Sequence, residues 1–97
     1  MVIGVGYVTI HIYESHSLKE KRRVVRSLVE RARQRFNMSV AEVDNLDSWQ
    51  VAGIGFCCVS NSAVHADAML AEVVRFIEAH APFGSLADVS TEIIHMD

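Results

Sequence analysis

The basic residues of this chain are concentrated in one segment. Nine lysines and arginines stand against twelve aspartates and glutamates, so the net charge is −3. Residues 19–35 nevertheless hold eight of the nine basic residues and only two acids, a local charge of +6, whereas the rest of the chain carries −9. Charges segregated in this way can present a positive surface to a polyanion. The eight are Lys19, Lys21, Arg22, Arg23, Arg26, Arg31, Arg33 and Arg35.

A helical wheel of about 100° per residue separates these residues into groups. Lys21 falls nearer an apolar stripe, and Arg31 and Arg35 fall on its far flank. The other five lie beside and opposite the stripe, with Glu30 among them. We call these five the basic surface: Lys19, Arg22, Arg23, Arg26 and Arg33.

We predict that the basic surface faces solvent and contacts the phosphates of RNA, because the planar guanidinium fork binds phosphate oxygens in pairs. The alternative is a solvated helix whose arginines are neutralised by acids such as Glu30. Exposed pairs of that kind contribute only about 0.3–0.5 kcal/mol, so a polyanion should displace them readily.

The cysteines and histidines do not form a metal-ligand pattern. Cys57 and Cys58 are adjacent in a predicted strand, so their side chains point to opposite faces and are read as small buried hydrophobes. No two histidines have metal-ligand spacing; the five are His11, His16, His65, His80 and His95. We expect no metal and no cofactor.

Two further patterns do not match a catalytic or ion-binding motif. Gly4 and Gly6 begin a strand, not a helix, and Thr9 replaces the third glycine of a dinucleotide loop. The acids Glu42, Asp44 and Asp47 match no calcium-binding loop, so we predict a solvated turn. Since no catalytic constellation can be recognised, we expect a binding protein and not an enzyme.

Residue patterns predict the elements that position these side chains. Alternation over residues 2–13 predicts a strand whose even-numbered residues face the core. Ser17 and Glu20 fit a capping box that opens a helix ending near Phe36. Strands are predicted over 38–44 and 49–60, joined by a turn at 45–48. Asn61 or Ser62 caps a second helix, which runs to about residue 79 and is followed by a strand over 86–96.

The second helix has a predicted inner stripe of its own, and Pro82 and Gly84 are expected to end it. The order βαββαβ then predicts an α+β, ferredoxin-like domain over residues 1–97: a four-stranded antiparallel sheet with two helices on one face. The inner stripe consists of Val64, Leu70, Val73, Val74 and Ile77.

The sheet face away from the helices is predicted to carry Tyr7, Tyr13 and several aliphatic side chains. Three uses compete: dimerisation, stacking of RNA bases, and binding of a small ligand. Tyr7 and Phe56 match the aromatic positions of RNA-recognition sheets only loosely, so we rank a homodimer first. We expect it to be built partly from this open face or from a free strand edge. A homodimeric protein-interaction module without a nucleic-acid role is therefore the alternative function.

Composition indicates where the chain works. Its longest apolar runs, residues 1–10 and 51–59, are far shorter than the roughly 20 residues of a membrane helix. No basic residue precedes Lys19, so the charged start of a signal peptide is absent. We expect a soluble, cytoplasmic protein with no membrane partner.

Three stretches resemble the YlxP-like family of small bacterial proteins: SLKEKRRVVRSL at 17–28, FNMSVAEVD at 36–44 and VSN at 59–61. The resemblance extends through nearly the whole chain. It implies a ferredoxin-like fold and carries no agreed activity or catalytic residues. Genes of the family often lie near those for translation initiation and ribosome maturation factors, which implies a ribosome-linked RNA partner.

Overall fold

Four strands and two helices follow one another in the predicted βαββαβ order. The structure is a computed structural model of the chain that describes residues 1–81 and 84–97. The predicted bounds are correct to within about two residues. The elements are β1 (Val2–Ile12), α1 (Leu18–Arg35), β2 (Ser39–Asp44), β3 (Val51–Ser60), α2 (Ala63–His80) and β4 (Gly84–His95).

The strands form one antiparallel sheet in the order β2-β3-β1-β4. β1 lies in the centre: Val2 pairs with Ser60 of β3 and with His95 of β4. Both crossovers contain a helix, and the fold is ferredoxin-like, as predicted. The carboxyl end of β1, the start of α1, the β2–β3 turn and the start of β3 all lie at one end of the sheet.

The core lies between one face of the sheet and the two helices. Burial alternates strictly along β1, with the even-numbered residues buried, because successive side chains of a strand point to opposite faces. The predicted inner face of β1 is confirmed. Buried side chains from the other elements complete the core: Val25, Leu28 and Ala32 of α1, Val40 of β2, Ala52, Ile54 and Phe56 of β3, and Leu70, Val73 and Ile77 of α2.

The predicted inner stripe of α2 needs one correction. Val64 is 82% exposed, and Ala66 takes the inward position in the first turns of the helix. The reason is geometric, since 66, 70, 73 and 77 follow one helical face and position 64 falls outside it. α2 ends at His80, and Ala81 donates its N–H to Ile77 O. Pro82, expected to end this helix, lies outside the described residues.

Phe56 faces the helices and not the open side of the sheet. Its ring is buried in the core and lies directly beside Gly6 of β1, where a Cβ atom would overlap it. The open face therefore has no aromatic ring from β3. Of the two aromatic residues that loosely matched RNA-recognition sheets, Phe56 is therefore not available on the open face.

Neither helix in the described part of the chain has the length and apolar character needed to cross a membrane.

Candidate nucleic-acid interface

The start of α1 is fixed by its capping residues. Ser17 has extended backbone angles, and its Oγ accepts a hydrogen bond from the Glu20 N–H at 3.1 Å. The Glu20 carboxylate reaches back to the N–H of His16 at 2.7 Å. The capping box is thus confirmed, although its return bond goes to the residue before the N-cap. This geometry sets where the basic residues of the first turns lie.

Four residues of the basic surface lie together on the outer side of α1. Lys19, Arg22, Arg23 and Arg26 are all exposed. Together with Ser27 and Glu30 they line a shallow depression of about 640 Å³. Lys19 and Arg26 are seven positions apart, which is a rise of about 10 Å along an α-helix, so the backbone positions of the four cationic residues fall within that distance along the axis. Repeating anionic groups, such as the phosphates of a nucleic acid, suit this arrangement.

These cations have no carboxylate partners among residues 1–81 and 84–97. The single ion pair with N–O within 4.0 Å in that part of the chain joins Lys21 to Glu42. Glu30, which lies among the arginines, makes none. The described residues therefore place no carboxylate within 4.0 Å of the exposed cations of α1, although Glu30 lines the same depression.

Arg33 has a different environment from the other four. Its side chain is exposed, but Nε donates a hydrogen bond to Val40 O at 2.8 Å. Arg33 therefore links α1 to β2 as well as contributing charge. It also lines a second depression of about 400 Å³ together with Arg22 and Arg26. The predicted surface thus consists of four cations that form no ion pair with the described residues and a fifth, Arg33, that also donates a hydrogen bond to β2.

Lys21 is buried on the inner side of α1, as its position on the helical wheel indicated. Its Nζ donates to Glu42 Oε2 at 2.5 Å and to Asn45 O at 2.8 Å. Asn45 has a positive φ of 60° in the β2–β3 turn. Lys21 thus ties the first turns of α1 to the end of β2. No sequence pattern indicates its partners, because they lie more than 20 residues away and contact it only in the folded chain.

The acids of the β2–β3 hairpin do not all behave as predicted. Asp47 is exposed, as a solvated turn requires. Glu42, however, is half-buried and paired with Lys21. Asp44 accepts hydrogen bonds from the Tyr7 hydroxyl and from the Asn45 N–H. Predicting a solvated turn was wrong for Glu42, whose partner is on another element.

No group of three or more histidine, cysteine or acidic side chains within the described ranges is arranged to hold a metal ion. His11 pairs with Ser85, and His95 pairs with Val2 at the opposite end of the sheet. Cys57 is half-buried and Cys58 buried, both as free thiols on opposite faces.

The open face of the sheet differs between its two ends. At one end Ile3 of β1 pairs with Val59 on one side and Ile94 on the other. We call this uncharged line of three side chains the aliphatic row. At the other end the rings of His11 and Tyr13 stack with centroids 4.4 Å apart.

The fold and site together define a small ferredoxin-like domain with a positively charged outer helix. The chain belongs to the family described as "Protein of unknown function (DUF503)", whose model matches residues 3–90. It is 36% identical over 78 residues to "Uncharacterized protein YlxP" of Bacillus subtilis (strain 168), which covers 80% of this chain and 85% of that protein. The resemblance seen in the sequence is thereby confirmed.

Two solved structures show the same fold. The de novo designed protein Foldit4 superposes over all of both chains with a TM-score of 0.54 and 11% identity. The de novo designed protein LFR1 1 with ferredoxin fold covers 97% of this chain and 83% of its own, with a TM-score of 0.51 and 8% identity. At such identities only the fold is shared.

Proposed function

We propose that this protein is a non-enzymatic RNA-binding module that uses the basic surface on α1, with ribosomal RNA as its partner. One observation carries the proposal: the exposed cations of α1 have no carboxylate partner in the described part of the chain. A helix that only needed solubility would gain from alternating charges at one-turn spacing. Here Glu30 is the one acid at that spacing from Arg26 and Arg33, and it forms no ion pair with either in the described part of the chain.

The chemistry of the surface suits a phosphate backbone. Arginine stays protonated at all physiological pH values and its fork donates to two phosphate oxygens at once. Binding releases counterions from the nucleic acid, and this release supplies most of the affinity of sequence-independent contacts. The net charge of −3 opposes binding at a distance, so the segregation of charge onto α1 is what allows close approach.

Co-sedimentation with purified bacterial ribosomes at low ionic strength tests the proposal. The variant R22E/R26E reverses two charges in the centre of the basic surface. The control R31E/R35E makes the same change in net charge on the far flank of the same helix. Wild type and the control should pellet with ribosomes, and R22E/R26E should stay in the supernatant. Pelleting of R22E/R26E, or failure of the wild type to pellet, contradicts the proposal.

We infer in addition that the protein forms a homodimer through the aliphatic row. Val59 is 66% exposed and Ile94 is also exposed, although each lies beside Ile3 in the sheet. A two-fold interface brings like residues together, so a surface that meets its own copy should lack like charges, and this row has none. A stable interface needs at least about 1,000 Å² in total, so neighbouring residues of the open face must take part.

Light scattering at high micromolar concentration tests the dimer. Val59→Asp places a charge in the aliphatic row and should give a monomer. Val64→Asp is the matched control, because Val64 is an exposed valine on α2, away from the open face. A monomeric wild type would contradict the proposed dimer. A Val59→Asp variant that remains dimeric would contradict its formation through the aliphatic row.

A further inference from the structure

One end of the sheet carries two exposed aromatic side chains. Tyr13 follows the last residue of β1 and is 58% exposed, and Trp49 precedes β3 and is 57% exposed. Because β1 and β3 are antiparallel, with His11 opposite Val51, both rings belong to the same end. Large aromatic surfaces left in water call for an explanation, since their burial is strongly favourable.

The Tyr13 ring is held in place within the protein. His11 stacks on it with an interplanar angle of 25°. The Tyr13 hydroxyl accepts a hydrogen bond from Ser85 Oγ at 3.3 Å. One face of the ring is thus covered and its outer edge is fixed, while more than half of the side chain remains exposed. Such a ring offers a preformed flat surface to a second planar group.

The segments that carry the two rings are bonded to each other. Ile12 N donates to Gln50 O at 2.7 Å. Gln50 Nε2 donates to Tyr13 O at 3.2 Å and to Ser15 O at 3.1 Å. Trp49 is therefore carried by a segment whose position relative to Tyr13 is fixed by three hydrogen bonds.

The same end of the molecule adjoins the basic surface. Only residues 14–17 separate Tyr13 from α1. Arg23 lines a cleft of about 250 Å³ whose other walls include Ile12 and Ser15, on either side of Tyr13 in the chain. Two acids, Glu14 and Glu20, also line this cleft. The Glu20 carboxylate accepts the His16 N–H, and Glu14 is exposed. One cation of the basic surface, Arg23, thus lies close to the segment that carries Tyr13.

Resting on the proposed function, we propose that the RNA bound here is single-stranded, with one unpaired base stacked on the free face of Tyr13. The phosphates on either side of that base then lie within reach of the first turns of α1. Proteins that bind single strands combine a positive groove with aromatic rings in this way, whereas a duplex keeps its base faces covered. Trp49 is exposed at the same end of the sheet.

Intrinsic fluorescence gives a direct readout, because Trp49 is the single tryptophan of the chain. The probes are a short oligoadenylate and an inorganic polyphosphate, which has the charge but no bases. Oligoadenylate should quench the Trp49 emission on binding. Polyphosphate should also bind, which is measured by its displacement of oligoadenylate from the protein, but it should not itself quench the Trp49 emission. Equal effects of the two probes on the emission overturn the inference.

Substitution of Tyr13 separates stacking from charge. Tyr13→Ala should weaken oligoadenylate binding about tenfold and leave polyphosphate binding unchanged, and Tyr13→Phe should retain the affinity. Leu46→Ala is the control, since Leu46 is an exposed aliphatic residue in the turn at the same end. If Tyr13→Ala binds oligoadenylate like the wild type, the inference fails while the basic surface stands. If neither polyanion binds the wild type, the proposed function fails with it.

Discussion

The side chain of Lys21 is fully buried, and its ammonium group has two oxygen partners, Glu42 Oε2 and Asn45 O. Burial of a charge is costly unless it is paired and hydrogen-bonded. Here each partner lies on a different part of the hairpin, at the end of β2 and in the turn. The lysine therefore holds α1 against the hairpin, although it lies within the same run of basic residues that supplies the basic surface.

Replacement of Lys21 by methionine should destabilise the protein by about 3 kcal/mol, because removal of one partner leaves the other charge half-buried and unpaired. Lys19→Met, an exposed change on the same helix, should change stability by less than about 0.5 kcal/mol. Urea denaturation measures both. Equal free energies of unfolding for the two variants would show that the Lys21–Glu42 pair does not stabilise the fold.

Gly6 makes room for the ring of Phe56. A methyl group at Gly6 overlaps that ring, which is buried, whereas one at Gly4 meets Cys58 and Leu70 at 3.1–3.2 Å. Gly6→Ala should therefore cost about 1–3 kcal/mol by overpacking, and Gly4→Ala distinctly less. Both changes remove a glycine from β1, so their difference isolates the contact with Phe56. Thermal unfolding should rank Gly6→Ala below Gly4→Ala, and the reverse order contradicts this packing.

At the scale of elements, α1 combines three tasks along one 18-residue helix. Its inner side packs on the sheet, Lys21 and Arg33 link it to the hairpin, and its outer side presents charge. The N-cap at Ser17 fixes where the helix begins, and with it the direction in which every later side chain points.

Loss of the N-cap should weaken α1 without altering its charges. Ser17→Ala removes the acceptor for the Glu20 N–H and should cost about 1 kcal/mol. Ser27→Ala, on the exposed middle of the same helix, serves as the control and should be neutral or slightly stabilising, since alanine is the better helix former. Chemical denaturation followed by circular dichroism compares them. A Ser17→Ala variant as stable as Ser27→Ala would contradict the capping role.

Local patterns were sufficient for the elements but not for their contacts. Alternation along β1 and the capping box at Ser17 are properties of neighbouring residues, so the sequence contained them. The hydrogen bond from Arg33 to Val40 and the burial of Glu42 depend on how α1 packs against β2. No spacing of residues in the sequence predicts this packing. Val64 was misplaced because an apolar residue in the first turn of a helix need not face the core.

At the scale of the whole molecule, the two proposed surfaces lie far apart. Ile3 of the aliphatic row and Tyr13 are ten residues apart along one extended segment, a distance of about 33 Å. A dimer formed at one end of the sheet would therefore leave the aromatic end and the start of α1 open. The same topology that makes β1 a central strand keeps self-association and RNA binding compatible.

The fold determines where charge can collect. Both helices cover one face of the sheet, so the outer side of α1 is the surface farthest from the open face. Seven of the eight basic residues in 19–35 are exposed, and the eighth, Lys21, is buried. Ten of the twelve acids lie outside residues 19–35. Sequence alone predicted this segregation, since it needs only the charge count and the helical period. Whether Glu30 neutralises the arginines was a question of distance, and only the structure addresses it.

The salt dependence of RNA affinity tests the central claim most directly. If four phosphates are neutralised by the basic surface, the logarithm of the affinity for single-stranded RNA should fall with the logarithm of salt concentration with a slope near −3. R22E/R26E should lose most of the binding, while R31E/R35E keeps a slope close to that of the wild type. Thermal stability should be nearly the same in all three proteins. Binding that does not depend on salt, or that survives in R22E/R26E, would contradict the assignment of α1 as the RNA-binding surface.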